Sequence, residues 1–159
     1  MARTVDRLTL RAFASTDYEE LISWFPTDAE LELFIGVSGA GPLTVEQLER
    51  RQHEPGVRAY SAVFDDSTLA GHVELVDAAP GQVRLARVAI APRLRGRGLA
   101  GQLIDCALGE VRRSTTATMV GLLVVPGNTP ALRSYARAGF ADAGANPEYP
   151  QYIWMTRAI

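Results

Sequence analysis

The stretch Val88-Ala89-Ile90-Ala91-Pro92-Arg93-Leu94-Arg95-Gly96-Arg97-Gly98-Leu99-Ala100-Gly101 constrains the fold more than any other part of the chain. A strand-like apolar segment ends near Pro92, a loop of arginine and glycine follows, and a helix pattern starts directly after it. Ala100, Leu103, Ile104, Ala107, Leu108 and Val111 recur at i, i+3, i+4, i+7, i+8 and i+11, the single stripe of a helix laid on a core. Gly96 and Gly98 carry no Cβ, so the loop amides and the positive helix end are open to a phosphate. Arg84, Arg87, Arg93, Arg95 and Arg97 lie between Asp77 and Asp105 with no acid among them, which predicts a local anion site. The plainer reading is a solvated arginine-rich turn ahead of a helix.

That local positive character contrasts with the whole chain, whose 16 basic and 18 acidic residues give a net charge of −2. Such a balance argues against a general nucleic-acid binder. Every basic residue is arginine, which rules out a Walker lysine, a Schiff-base lysine and a pyridoxal phosphate linkage. Cys106 stands alone and His53 and His72 are far apart, so neither a disulfide framework nor a metal site is expected. At 159 residues and 47% hydrophobic content, the chain suits one domain over 1–159 with its own core. No apolar run approaches the roughly 20 residues that cross a bilayer, and residues 1–6 lack a signal peptide's apolar segment. A cytoplasmic protein without a membrane partner is expected, and arginine and alanine in place of lysine suggest a GC-rich bacterial genome.

Periodicity supplies the remaining elements. Alternation over 8–13 predicts an opening strand, Ser15, Thr16 and Asp17 offer caps for a helix through Tyr18, Leu21, Ile22 and Trp24, and a second helix covers 28–34. After a loop over 36–42, Thr44 and Gln47 have the spacing of a capping box that opens a third helix. Segments 60–64, 69–76 and 83–90, separated by Asp65-Asp66-Ser67 and by Pro80-Gly81, predict an antiparallel meander. The apolar run 119–125 reads as a strand covered on both faces, 130–138 as a helix ended by Gly139, and Phe140 with 151–156 as closing strand. The order implies an α/β (α+β) domain with a mixed sheet. Gly96-x-Gly98-x-x-Gly101 matches the dinucleotide fingerprint, but antiparallel strands precede it and the next strand ends at Val124-Val125-Pro126-Gly127-Asn128 without the required carboxylate.

Two motifs carry a family resemblance. Arg95-Gly96-Arg97-Gly98-Leu99-Ala100 fits the Q/R-x-x-G-x-G/A loop of the GNAT N-acetyltransferases, with Val88-Ala89-Ile90-x-Pro92 ahead of it. Leu122-x-Val124-x-x-x-Asn128-Thr129-Pro130-Ala131-Leu132-x-x-Tyr135-x-x-x-Gly139-Phe140 resembles the superfamily's second signature. The resemblance implies a mostly antiparallel sheet splayed at an acetyl-CoA site, with acetyl-CoA as co-substrate and no metal. It implies pyrophosphate on the amides of Gly96 to Gly101, with Arg95, Arg97, Leu99 and Ala100 in the same loop. Main-chain bonds from Val88, Ala89 and Ile90 would hold the pantetheine, and Asn128 would sit beside that arm or cap the next helix. A backbone N–H at Val88 or a neighbour would polarise the thioester, and Tyr135 would protonate the departing thiolate, its alternative being a packing role.

The family's glutamate before the Asn is replaced by Leu123, which leaves the base open. Glu74 is the candidate because it is the carboxylate inside the central strands, with His72 as a lesser one and water as a third. A solvent-facing pair is the other reading of Glu74 and His72. Cys106 reads as a small buried hydrophobe. Trp24, Phe25, Asp28, Glu30 and Glu32, opposite residues 146–152, would wall an acidic, aromatic acceptor site. Asp17, Glu19 and Glu20 add to that charge, which favours a cationic amine of a small molecule or a protein N-terminus. Leu8-x-Leu10-Arg11-x-Phe13 resembles the branch of ribosomal-protein and amino-acid acetyltransferases. A non-catalytic acyl-CoA-binding domain, a longer acyl donor, and a monomer or homodimer remain open alternatives.

Overall fold

The computed structural model describes residues 7–36 and 41–159; the N-terminal stretch 1–6 and most of the loop expected over 36–42 lie outside the described residues. In chain order come β1 (Thr9–Ala12), a 3-10 turn (Ser15–Asp17), α1 (Tyr18–Ser23), α2 (Asp28–Ile35), α3 (Val45–Gln52), β2 (Val57–Val63), β3 (Leu69–Asp77) and β4 (Gln82–Ile90). A second 3-10 turn (Pro92–Leu94), α4 (Leu99–Ser114), β5 (Met119–Val124), α5 (Thr129–Arg137), β6 (Ala141–Asp142) and β7 (Ile153–Ala158) complete it. The strands form one mixed sheet in the order β1-β2-β3-β4-β5-β7-β6, in which β4 and β5 are parallel and the other neighbours antiparallel. The expected α/β architecture is therefore present.

Local chemistry explains most element boundaries. The Thr44 hydroxyl accepts from the Gln47 amide at 3.2 Å and the Gln47 side chain accepts from the Thr44 amide at 3.1 Å, which completes the predicted capping box. Thr27 caps α2 in the same way, accepting from the Glu30 amide at 3.3 Å, and Gly36 closes that helix in a left-handed conformation. The caps expected from residues 15–17 differ: these residues form the 3-10 turn, and none caps α1 by its side chain. The Asp17 carboxylate is taken instead by both Arg11 Nη atoms at 2.7 and 2.8 Å, the Ser61 hydroxyl at 2.8 Å and the Ala14 amide at 3.0 Å. It ties β1 to β2 and, through the Ala14 amide, holds the start of the 3-10 turn rather than that of α1.

The apolar stripe of α4 faces the sheet, with Leu103, Ile104, Ala107, Leu108 and Val111 fully buried and the helix packed on β3 and β4. β3 is buried from Leu69 through Leu75 because it is central and covered on both faces. The closing strand starts at Ile153, two residues later than its pattern suggested, because the Tyr152 amide bonds back to the Tyr149 carbonyl in a turn.

Candidate active site

The site begins with an irregularity in β4. Glu74 is opposite Ala86 and His72 is opposite Ala89, so Arg87 and Val88 together face the single residue Val73. This is a β-bulge, and Arg87 occupies it at φ 48°, a conformation that non-glycine residues seldom adopt. The ladder between β4 and β5 runs from Gln82↔Met119 to Leu85↔Leu122 and then stops. Beyond that point the two strands separate, and a cleft of about 490 Å³ opens between them.

Val88, Ala89, Ile90, Arg95, Asn128 and Tyr135 all line this cleft, so the structure brings together strand, loop and helix residues singled out in the sequence. Gly96, Arg97, Gly98, Leu99, Ala100 and Gly101 lie past its edge, where residues 95–98 are exposed. Gly98 is the residue before α4 and has φ 75°, and nothing lies within 4 Å of where its Cβ would be. Space is therefore open beside the start of α4. The Asn128 side chain accepts from the Ala131 amide at 3.4 Å, so it caps α5 while standing on the cleft wall.

The Tyr135 ring packs edge-on to Phe140 at 6.2 Å between centroids. Burial pushes its phenol up to about 12, so the hydroxyl holds its proton throughout the neutral range. Cys106, by contrast, lies half-buried in α4, its sulfur 3.4 Å from the Leu8 carbonyl, away from the cleft.

Glu74 and His72 are both buried, against the picture of a solvent-facing pair, and neither lines the cleft. The Glu74 carboxylate accepts from Arg51 Nε at 2.9 Å and Nη2 at 2.7 Å, while Arg87 Nε lies 3.8 Å away. Burial alone would raise this carboxyl, but the imidazole of His72 and the guanidinia of Arg51 and Arg87 outweigh it and hold the group at about 2. His72 Nε2 faces Glu74 Oε1 at 3.9 Å, and its ring packs on Phe13 and Phe34.

A lowering from about 4.5 to about 2 means that ionised Glu74 adds about 3 kcal/mol to stability. That contribution is complete above about pH 4.5 and fades as the pH falls towards 2. Glu74→Gln should thus lower the melting temperature at pH 7, and the gap to wild type should narrow below pH 4.5. Melts of both proteins from pH 2.5 to 7 check this; a gap that stays constant would refute it.

The acceptor wall also differs from expectation. Glu30 and Phe25 line the cleft with Tyr149, Gln151 and Tyr152, but Trp24, Asp28 and Glu32 do not. Asp17 is neutralised by Arg11, and Glu20 pairs with Arg93 at 3.3 Å. What sequence reasoning missed is Arg51, Arg84 and Arg87 on the walls. Arg84 and Arg87 were visible as part of an arginine-rich stretch, and they line the cleft with Arg95 whereas Arg93 and Arg97 do not. Arg51 had no sequence signal, because its partner Glu74 is 23 residues away.

Residues 18–140 match the family model described as Acetyltransferase (GNAT) family. The chain belongs to the GNAT acetyltransferase family. Solved structures share the fold of this GNAT protein at low identity. Spermidine N-acetyltransferase from Vibrio cholerae, bound to CoA and spermine, superposes with a TM-score of 0.79 at 22% identity over 96% of this chain and 95% of that one. Aminoglycoside acetyltransferase AAC(6')-Ib, bound to coenzyme A and kanamycin, gives 0.77 at 18% identity over 95% and 94%. A domain from Methanocaldococcus jannaschii gives 0.79 at 12% identity over 97% and 99%.

Proposed function

We propose that this GNAT protein is an N-acetyltransferase that moves the acetyl group of acetyl-CoA directly to a primary amine within a ternary complex. The observation that carries the reading is the sheet opening, where β4 leaves β5 after Leu85 with Tyr135 on the wall. The residues present suit acetyl-CoA. With the β5 ladder ended, the main chain of Val88, Ala89 and Ile90 can bond a pantetheine as a further strand would. The exposed loop with Gly96 and Gly98 leads its amides and the α4 N-terminus towards a pyrophosphate, and Arg95 and Arg97 supply opposite charge.

When bound, acetyl-CoA supplies an activated acyl group. The Val88 amide or a neighbour at the bulge polarises the carbonyl, and Tyr135 gives its proton to the thiolate that departs. A phenol and a thiol differ by about 1.5 units in their ordinary pKa values. Burial raises the Tyr135 phenol, which keeps the proton in place until the thiolate departs. Glu74 is read as the anchor of Arg51 and Arg87 rather than as the base, since a carboxylate held near 2 between guanidinia is a weak proton acceptor. The amine then loses its proton to water or arrives as the free base.

Calorimetric titration with acetyl-CoA tests the donor site, followed by thiol-release assays across amines. Wild type should bind, and Gly98→Asp should weaken binding about 100-fold or more by setting a carboxylate against the pyrophosphate. No binding to wild type would sink the reading. Binding without thiol release for any amine would favour a non-catalytic acyl-CoA-binding domain.

A further inference from the structure

We propose that the amine acceptor carries a carboxylate and that Arg87 is the residue that recognises it. The proposal deepens the acetyltransferase reading and rests on it. Among the described residues, the charged groups lining the cleft are Arg51, Arg84, Arg87, Arg95 and a single acid, Glu30.

These four arginines are not equivalent. Arg95 stands at the loop end, where its Nε donates to the Ile90 carbonyl at 3.2 Å. Arg51 is fully engaged: Nε and Nη2 donate to Glu74, and Nη1 donates to Glu54 at 2.8 Å. Arg84 stacks over the Tyr149 ring at 5.5 Å. Arg87 differs from them in a buried nitrogen that no acceptor reaches among the described residues. Its Nε is 3.8 Å from Glu74, beyond hydrogen-bond reach, and its Nη1 is buried with no hydrogen-bond partner.

The shared Glu74 carboxylate cannot balance both guanidinia, and His72 brings no negative charge. Glu54, at the more exposed rim, balances Arg51, so the group is neutral in sum, and the Arg87 guanidinium meets a carboxylate only at 3.8 Å. A buried charged donor with no acceptor is costly, and such groups persist where a ligand completes them. The strained bulge marks the same residue: in the left-handed conformation Arg87 places its guanidinium beside Glu74 and over the Phe34 ring, 6.0 Å away. A planar guanidinium matches a carboxylate in geometry as well as charge. The stacked rings of Phe25 and Phe34, 4.2 Å apart, offer an apolar wall for the rest of the acceptor. This surface opposes a polycation.

The test compares amines that differ in the carboxylate alone: L-phenylalanine with phenethylamine, and L-methionine with 3-(methylthio)propylamine. Spermidine and kanamycin serve as polycations. In thiol-release assays with acetyl-CoA, the carboxylated member of each pair should have a KM about 10- to 100-fold lower, as a charge-assisted bond in a sheltered site provides. In Arg87→Gln that preference should shrink towards parity through KM more than kcat. Because this variant also removes a partner of Glu74 and can fail to fold, the same pairs are titrated into wild type saturated with CoA. Tighter binding of the amino acid than of its decarboxylated amine supports the proposal. Equal or weaker binding, or preferred acetylation of spermidine or kanamycin, overturns it and leaves the acetyltransferase reading standing. Failure to bind acetyl-CoA at all overturns both.

Discussion

Tyr135→Phe is expected to lower kcat by about 100-fold while acetyl-CoA affinity stays within about twofold. The substitution removes one oxygen and keeps the ring, so the edge-on contact with Phe140 and the cleft wall survive. What is lost is the proton that the phenol, pushed up to about 12, keeps at every pH where the enzyme would be assayed. The wild-type rate should accordingly show no decline from this group below about pH 10. Thiol-release kinetics paired with calorimetry separate the two effects. A variant with wild-type kcat would give Tyr135 the packing role alone.

Gly121→Val is expected to cost the protein at least about 3 kcal/mol, or roughly 10 °C in melting temperature. Gly121 sits in β5 opposite Thr156, and Leu123 on the same face is opposite Trp154. That register sets the Trp154 ring against the glycine, so an added Cβ would fall 2.5 Å from Cζ2 and 2.8 Å from Cζ3. Side chains essentially never approach so closely, and the ring can yield only by giving up its packing. Trp154→Ala should itself destabilise the protein yet relieve most of the added cost, so the double variant should be more stable than the sum of the two predicts. Thermal melts of the four proteins check this. Additive losses would show that the ring is not what excludes a side chain.

Much of the framework was legible in the sequence because it depends on neighbours within a turn or two. The stripe from Ala100 to Val111, the Thr44 and Gln47 box and the meander over 60–90 each appear where their spacing placed them. Asn128 caps α5 as Asn-Thr-Pro suggests. Residues 15–17 misled for a definite reason. Asp17 has the chemistry of a local cap, but Arg11 and Ser61 compete for its carboxylate, and the bidentate, partly buried pairing wins.

The candidate site was legible only in part. The sequence identified the arginine-rich stretch, but it assigned all five arginines to one anion. It also counted Glu19, Glu20 and Asp28 towards an acidic acceptor wall, whereas Glu30 is the acid that reaches the cleft among the described residues.

By itself the sequence determined the order of strands and helices, the glycine loop at the head of α4 and the stripe that holds this helix to the sheet, since periodicity and missing Cβ atoms are local properties. Tertiary structure decided which charges face the cleft. The bulge at Arg87, the pairing of Arg51 with Glu74 across 23 residues and the withdrawal of Asp17 arise from strand register and helix docking, which bring together groups that no local pattern links. Burial then turns those meetings into chemistry: it makes Glu74 a counter-ion, keeps Tyr135 protonated and leaves Arg87 with a donor to fill.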